Sequence, residues 1–411
     1  ANLQKEGFQS TEPIALAYAA AKAREVLGVL PDSVQLQVSG SIIKNVKSVI
    51  VPNTGHLKGM EAAVAAGIIA GSAEKELEVI SEVSEEKKSA IRDYLQTVPI
   101  TIEHTEQGHV FDIVVTERCG QDYARVRIAD YHTNICRIEK NGTVLYEVPL
   151  LDETVQEDAR ADRSLLNMQD IWDFAETADL RDVADLLERQ IRYNNAIAEE
   201  GLLGDYGANI GRVLLTTYGN DVSNRAKAKA AAGSDARMNG CELPVIINSG
   251  SGNQGITCSV PLIEYAKELH SGKEKLYRAL IISNLVAIHE KTGIGTLSAY
   301  CGAVSAGAGA GAGIVYLCGD GYQAAIHTVV NALAIVSGIV CDGAKASCAA
   351  KIASSVDAAL LGYNMYKCNQ EFKGGDGIVM KDIETTIKGI GRLGKDGMKE
   401  TNEEIIRLMI E

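Results

Sequence analysis

The spacing of apolar residues along the chain switches from helical to strand-like and back. "TEPIALAYAAAKAREVL" (11–27) repeats apolar residues at helical spacing; Ser10 or Thr11 suits its N-cap, Pro13 its first turn and Gly28 its end. Alternation then takes over. Val34, Leu36 and Val38 share one strand face, and "SIIKNVKSVIVP" (41–52) reads as a second strand. "LKGMEAAVAAGIIAG" (57–71) predicts a helix, and a charged helix follows near 83–95. Strands are predicted over 98–104, 109–117, 123–129 and 134–147, the last folded at Asn141–Gly142, a strong hairpin signal. "ETVQEDARADR" (153–163) is poor in apolar residues and reads as a linker. From Leu165 onward the period is helical: Val183, Leu187, Ile191 and Ile197 mark one face of a helix over about 180–200. The expected class is α+β, a small α/β layer domain with an antiparallel or mixed sheet beside a large, mostly helical domain. The expected division is an N-terminal helical segment 1–28, an α+β domain 29–152 and a helical domain 165–411.

Composition narrows the partners. The chain has 411 residues, 46% of them hydrophobic and 23% charged, enough to bury a sizeable core. The formal net charge is −14, and no Lys/Arg run is interleaved with aromatics, which argues against nucleic acid and anionic membranes as partners. The Gly- and Ala-rich stretch 302–341 is broken by Asp320, Gly321, Gln323, His327 and Asn331, so it reads as closely packed buried helices rather than a membrane span. The first residues, "ANLQKEGFQS", lack a basic flank followed by an apolar run, so the expected location is cytoplasmic. Nine cysteines, an odd number without repeated spacing, then point to reduced thiols rather than a disulfide framework. The edges of the expected sheet would allow pairing into a homo-oligomer.

Several stretches carry candidate chemistry. "INSGSGNQGIT" (247–257) is a Gly-rich turn leading into a helix, a ready anion site for a carboxylate or phosphate, with Ser249, Gly252, Asn253 and Gln254 as candidate contacts. It also resembles the "SGN-x-G" loop of pyridoxal-phosphate enzymes. Lys227 and Lys229 lie upstream, but in an Ala-rich helical stretch without strand–helix alternation, so the expectation is no PLP. "IHEKTGIGTLSAYCGA" (288–303) places His289, Glu290 and Lys291 ahead of Cys301, without the second His of a zinc-protease motif. Cys301, Cys341 and Cys348 each stand in Gly-rich, turn-like settings, "AYCGA" and "CDGAKASC". Free cysteines are commonly core residues. Turns, however, let thiolates converge, and three ligands leave one metal position open, whereas structural sites take four.

At "STEPIALAYAAAKA", "GSDARMNGCELPVIINSGSGNQGI", "LSAYCGAVSAGAGAGAGI" and "CDGAKASCAAKIASSVDAA" the chain resembles the L-cysteine desulfidase family over essentially its whole length, most specifically over 235–360. Its C-terminal region is similar to the alpha part of bacterial iron–sulfur L-serine dehydratases. The resemblance implies an air-sensitive [4Fe–4S] cluster on Cys301, Cys341 and Cys348 with one open iron. It also implies β-elimination of L-cysteine with water to pyruvate, ammonia and sulfide, a small amino-acid substrate, and an N-terminal helix docking at the active site; holding the substrate carboxylate falls to the 249–254 loop, with Lys345 as a further candidate contact. In the family that helix start reads "GCTEP", and its cysteine is the expected base; this chain reads "QSTEP", with Ser10 in that place. Two alternatives follow: an iron–sulfur L-serine dehydratase, or a catalytically impaired relative that binds an amino acid or cluster.

Overall fold

The computed structural model describes residues 6–7, 11–105, 109–150, 162–295 and 298–410. The linker expected over 153–163 falls mostly outside them, as does Ser10. The chain forms two compact units. One takes in Ser10–Arg160, Asp342–Lys345 and Glu403–Glu411, and the other Ala1–Gln9, Ala161–Cys341 and Ala346–Asn402.

The first unit is built on a six-stranded mixed sheet in the order Ile100–His104, Ser33–Val38, Asp112–Cys119, Asp122–Ala129, Ile135–Lys140, Thr143–Glu147. Only the pair Ser33–Val38 and Ile100–His104 runs parallel; its crossover carries the helices Gly40–Val46, Gly59–Ala70 and Glu85–Thr97. The other neighbours are antiparallel, and Asn141 and Gly142, both at positive φ, make the tight turn between the last two strands. Val34, Leu36 and Val38 alternate into the core as their spacing predicts. Helix Thr11–Leu27 covers this face and packs on Gly59–Ala70 at Gly67, where any Cβ would overlap the Ala17 carbonyl.

The strand expected over 41–52 is instead the helix Gly40–Val46, followed by a single bridge from Ile50 to Lys58. All seven residues of this helix are buried, including Ser41, Lys44 and Asn45. With polar residues inside as well, the one-sided pattern that separates helix from strand is missing, and the β-branched Ile and Val misdirect the reading.

Glu117, fully buried on the strand Asp112–Cys119, has no hydrogen-bond partner at either carboxyl oxygen among the described residues. Burial pushes its carboxyl well above the glutamate range, with the Arg24 charge only partly offsetting this. A raised carboxyl makes the folded state bind more protons than the unfolded chain. Stability is therefore full at pH below the ordinary glutamate range and falls as pH rises toward the folded value. Glu117→Gln is expected to flatten this decline. Chemical denaturation between mildly acidic and mildly alkaline pH measures it, and an equally steep decline in the variant would assign it to other groups.

The second unit is helical around Gly302–Cys318, which packs against Gly252–Glu268, Lys273–Ile294, Tyr322–Val336 and Cys348–Lys367. Glycines make these approaches close. A Cβ at Gly307 would stand 2.8 Å from the Ser355 backbone, and one at Gly313 would stand 2.8 Å from the Ala279 carbonyl. The Gly/Ala run that superficially suggests a membrane span is thus a helix buried on all sides by protein. Among the described residues no helix is long and apolar enough to cross a membrane.

Candidate active site

The glycine-rich loop is held from beneath by buried amides. The short strand Val245–Ile246, paired with Glu6–Gly7, is clamped by Asn194: Ile246 N donates to its Oδ1 at 2.8 Å, and its Nδ2 donates to the Ile246 carbonyl at 3.1 Å. Asn248 donates to the Asn284 carbonyl and side chain at 3.1 and 3.0 Å, and Asn284 exchanges two bonds with Gln190. These side chains are essentially inaccessible, so each unmade bond would cost about 1–3 kcal/mol, and the network fixes the loop's height and register.

Above this network, Asn248 and Ser251 exchange backbone bonds across a two-residue turn, with Ser249 at φ 48° and Gly250 at φ 81°. Ser251 then caps the helix Gly252–Glu268 by accepting from the Gln254 N–H. Gly255 lets this helix lie directly on the strand, because a Cβ there would overlap the Ile246 carbonyl.

The predicted contacts are not equally placed. The Ser249 hydroxyl donates to Asn248 Oδ1 at 3.0 Å. Half-buried Asn253 accepts from Arg237 Nη1 at 3.3 Å. Gly252 lies under the same guanidinium, and a Cβ there would be 2.9 Å from Arg237 Cζ. Arg237, from the helix Val222–Met238 and only 8% exposed, is a candidate site residue that no pattern along the chain singled out. A buried guanidinium is a stronger carboxylate partner than backbone amides alone. Gln254 reaches the other way: an ideal Cβ on Gly302 would stand 2.6 Å from its Cδ and Nε2. Gln254 Oε1 is buried without a hydrogen-bond partner among the described residues. The loop therefore abuts the residue next to Cys301.

Two chain segments bring Cys301 and Cys341 together. Tyr300 and Val340 form an antiparallel bridge, with Cys301 N donating to the Ile339 carbonyl at 3.1 Å and Cys341 N to the Ala299 carbonyl at 2.6 Å. Cys301 is the N-cap residue of Gly302–Cys318, and Cys348 opens the helix Cys348–Lys367. Lys351 Nζ ties the latter back to the Val340 carbonyl at 2.8 Å. The Cys301 and Cys341 thiols are in hydrogen-bonding contact, and Cys348 lies within electrostatic range. The Cys341 contact, then burial, pushes the Cys301 thiol well above the ordinary range.

Three thiols, two of them at helix N-termini that favour anionic sulfur, are the donor chemistry that a metal–sulfur cluster takes. Among the described residues no group of three or more His, Cys, Asp or Glu side chains is placed to hold a metal ion. All nine cysteines are free thiols.

Other expected site residues are committed to local partners. Lys345 pairs with Asp342 and donates to the Gly343 carbonyl at 3.2 Å, within the sheet-bearing unit. Next to that turn Gly343, at φ +93°, leaves no room for a Cβ against the Lys44 carbonyl; Lys44 is itself buried. His289 Nε2 meets Glu384 at 2.9 Å. Lys227 pairs with Asp357, and Lys229 with Glu199 and Glu264. Burial opposes the Lys229 charge, but the two carboxylates prevail and hold its ammonium above the usual lysine range, the reverse of what a Schiff-base amine requires.

Comparison with known proteins agrees with this architecture. The family model described as serine dehydratase alpha chain matches residues 74–407. Over 400 residues the chain is 61% identical to a UPF0597 protein of Desulfitobacterium hafniense, covering 97% of this chain and 93% of that one. A UPF0597 protein of Lachnoclostridium phytofermentans is 52% identical over 400 residues, covering 97% and 95%. One from Treponema denticola is 46% identical over 406 residues, covering 98% and 94%. With a mixed-sheet unit, a helical unit built around a glycine-rich helix, and a match over most of its length, the chain belongs to the serine dehydratase alpha chain family.

Proposed function

We propose that this protein is a PLP-independent lyase that converts L-cysteine and water to pyruvate, ammonia and sulfide, with Cys301, Cys341 and Cys348 holding a [4Fe–4S] cluster. The observation that carries the reading is the meeting of two features in one unit. A loop with a buried guanidinium abuts, through Gln254, the turn that presents Cys301 beside Cys341. When bound, the cluster supplies an open, Lewis-acidic iron for the departing sulfur.

The protein's own residues do the rest. Arg237, Asn253 and the first amides of Gly252–Glu268 bind and orient the substrate carboxylate. That anchoring fixes where Cα and the β-substituent lie, and the amide network below the loop keeps the geometry rigid. Gln254, with an unused amide oxygen, is suited to receive the substrate ammonium. A base must remove the Cα proton, and the family resemblance assigns that position to Ser10. Free thiols and an air-sensitive cluster suit a reducing, cytoplasmic setting.

A second reading, deamination of L-serine with loss of water, is favoured by the matching family's description. Thiol and hydroxyl substrates are nearly isosteric, so the same anchoring serves both. Anaerobic reconstitution with iron and sulfide, then pyruvate and sulfide assays on both amino acids, separates the readings. Sulfide from L-cysteine in excess of turnover on L-serine is expected. Faster turnover of L-serine would establish the dehydratase, and absence of bound iron after reconstitution would overturn the cluster assignment.

A further inference from the structure

Glu290, on the helix Lys273–Ile294, is 1% exposed, and neither carboxyl oxygen has a hydrogen-bond partner among the described residues. Ser305 from Gly302–Cys318 stands against it, and Cys258 from Gly252–Glu268 and Tyr300 from the segment leading into Cys301 lie within reach of its charge. Cys258 and Tyr300, the titratable ones, are both pushed above their ordinary ranges, chiefly by burial, so neither carries charge near neutrality. The neighbouring charged pair, His289–Glu384, is bonded to itself. Ser305 is wholly buried, and its Oγ also stands outside hydrogen-bond geometry. It lies four residues after Cys301, where a helical serine commonly bonds back to the carbonyl one turn earlier, and it does not do so.

An ionised carboxylate buried without a cation costs several kcal/mol, so a group in this setting takes up a proton instead. Burial correspondingly pushes the Glu290 carboxyl well above the ordinary range, with Ser305 opposing. A neutral carboxyl carries an O–H that needs an acceptor, and the Ser305 hydroxyl has an unused one. Two unmet polar groups facing each other at the start of the central helix are satisfied by one small adjustment.

We propose that Glu290 is a positioning residue for the cysteine site: as a neutral acid it donates to Ser305 and so fixes the turn Tyr300–Ser305 that presents Cys301. The inference rests on the proposed function only in treating Cys301 as the residue that must be held in place. It predicts behaviour of the cluster-free protein, so its failure and that of the lyase reading are separable.

The test uses the full chain, reduced and anaerobic, without iron. Infrared difference spectra between wild type and Glu290→Gln at neutral pH should show a protonated-carboxyl stretch present only in the wild type. Labelling by a small thiol reagent, resolved by peptide mass, should run about 3–10-fold faster at Cys301 in Ser305→Ala and Glu290→Leu, the effect of losing one hydrogen bond from a local opening equilibrium. Glu290→Gln, which can still donate to Ser305, should restore the wild-type rate. Cys258, buried in the same core, reports global unfolding and should label at an unchanged rate. A missing protonated-carboxyl band, an unaltered Cys301 rate in Ser305→Ala, or parallel acceleration at Cys258 would each overturn the proposal.

Discussion

Ser10→Cys is expected to raise turnover on L-cysteine by about 10²–10⁴-fold, the range that a positioned general base contributes. Proton affinity sets the difference. A cysteine thiol titrates near pH 8.5 when unperturbed and lower at a helix N-terminus, so a useful fraction is thiolate at neutrality. A serine hydroxyl titrates far above that range, and its base form is scarce. Ser10 immediately precedes the helix Thr11–Leu27 in the chain, and the resemblance to the L-cysteine desulfidase family implies a cysteine at that position. Pyruvate release at matched iron content measures the change. In the variant the rate should rise with pH through the lowered thiol range. Equal rates in both forms would place the base elsewhere, with His289 and Lys345 next in line; each would first have to leave its carboxylate partner. Full activity of the Ser10 form on L-serine would favour the dehydratase, and no turnover by either form despite bound iron would favour the binding-only relative.

Arg237→Lys is expected to lower kcat/KM by about 10–10²-fold, mostly through KM, with iron content unchanged. Hydrogen bonds to charged groups are each worth about 1.5–3 kcal/mol, which corresponds to that range. Lysine keeps the charge but loses the fork that can grip a carboxylate with two parallel bonds while also meeting Asn253. Gly252→Ala should act in the same direction without touching the charge, because its methyl would occupy the space of the guanidinium. Asn253→Ala should have a smaller effect, since the charged guanidinium of Arg237 remains to bind the carboxylate. Steady-state kinetics on L-cysteine with parallel iron analysis decides this. A KM unchanged in both Arg237→Lys and Gly252→Ala would remove Arg237 from the carboxylate subsite.

How much of this was legible along the chain depended on how local the cause was. The strand Ser33–Val38 announced itself because one face is buried and one is not, and the Asn141–Gly142 hairpin because a type I′ turn demands positive φ at two adjacent residues. The glycine-rich stretch was legible as a turn leading into a helix, but the helix begins at Gly252, inside the stretch read as the turn, because the Ser251 cap is a local hydrogen bond that period does not record. The helix Gly40–Val46 was not, because burial on every side erased its period. Arg237 was invisible as a site residue for a different reason: what distinguishes it is Asn253, sixteen residues on, together with a glycine that leaves room.

The amino-acid sequence by itself determined the α+β class, the glycine and alanine content that lets Gly302–Cys318 be buried on all sides, the three turn-borne cysteines, and the family. These follow from short-range rules of period, turn geometry and residue size. Only the tertiary structure decided which groups meet. It tied Ala299–Cys301 to Ile339–Cys341, set Gln254 against Gly302, laid Arg237 over Gly252, and enclosed Glu290 and Ser305 together with no other hydrogen-bond partner among the described residues. The physical reason is that each pairing joins residues from separate elements. Its energy comes from excluding water and matching donors to acceptors across the packed helices, and no periodicity along one element records either.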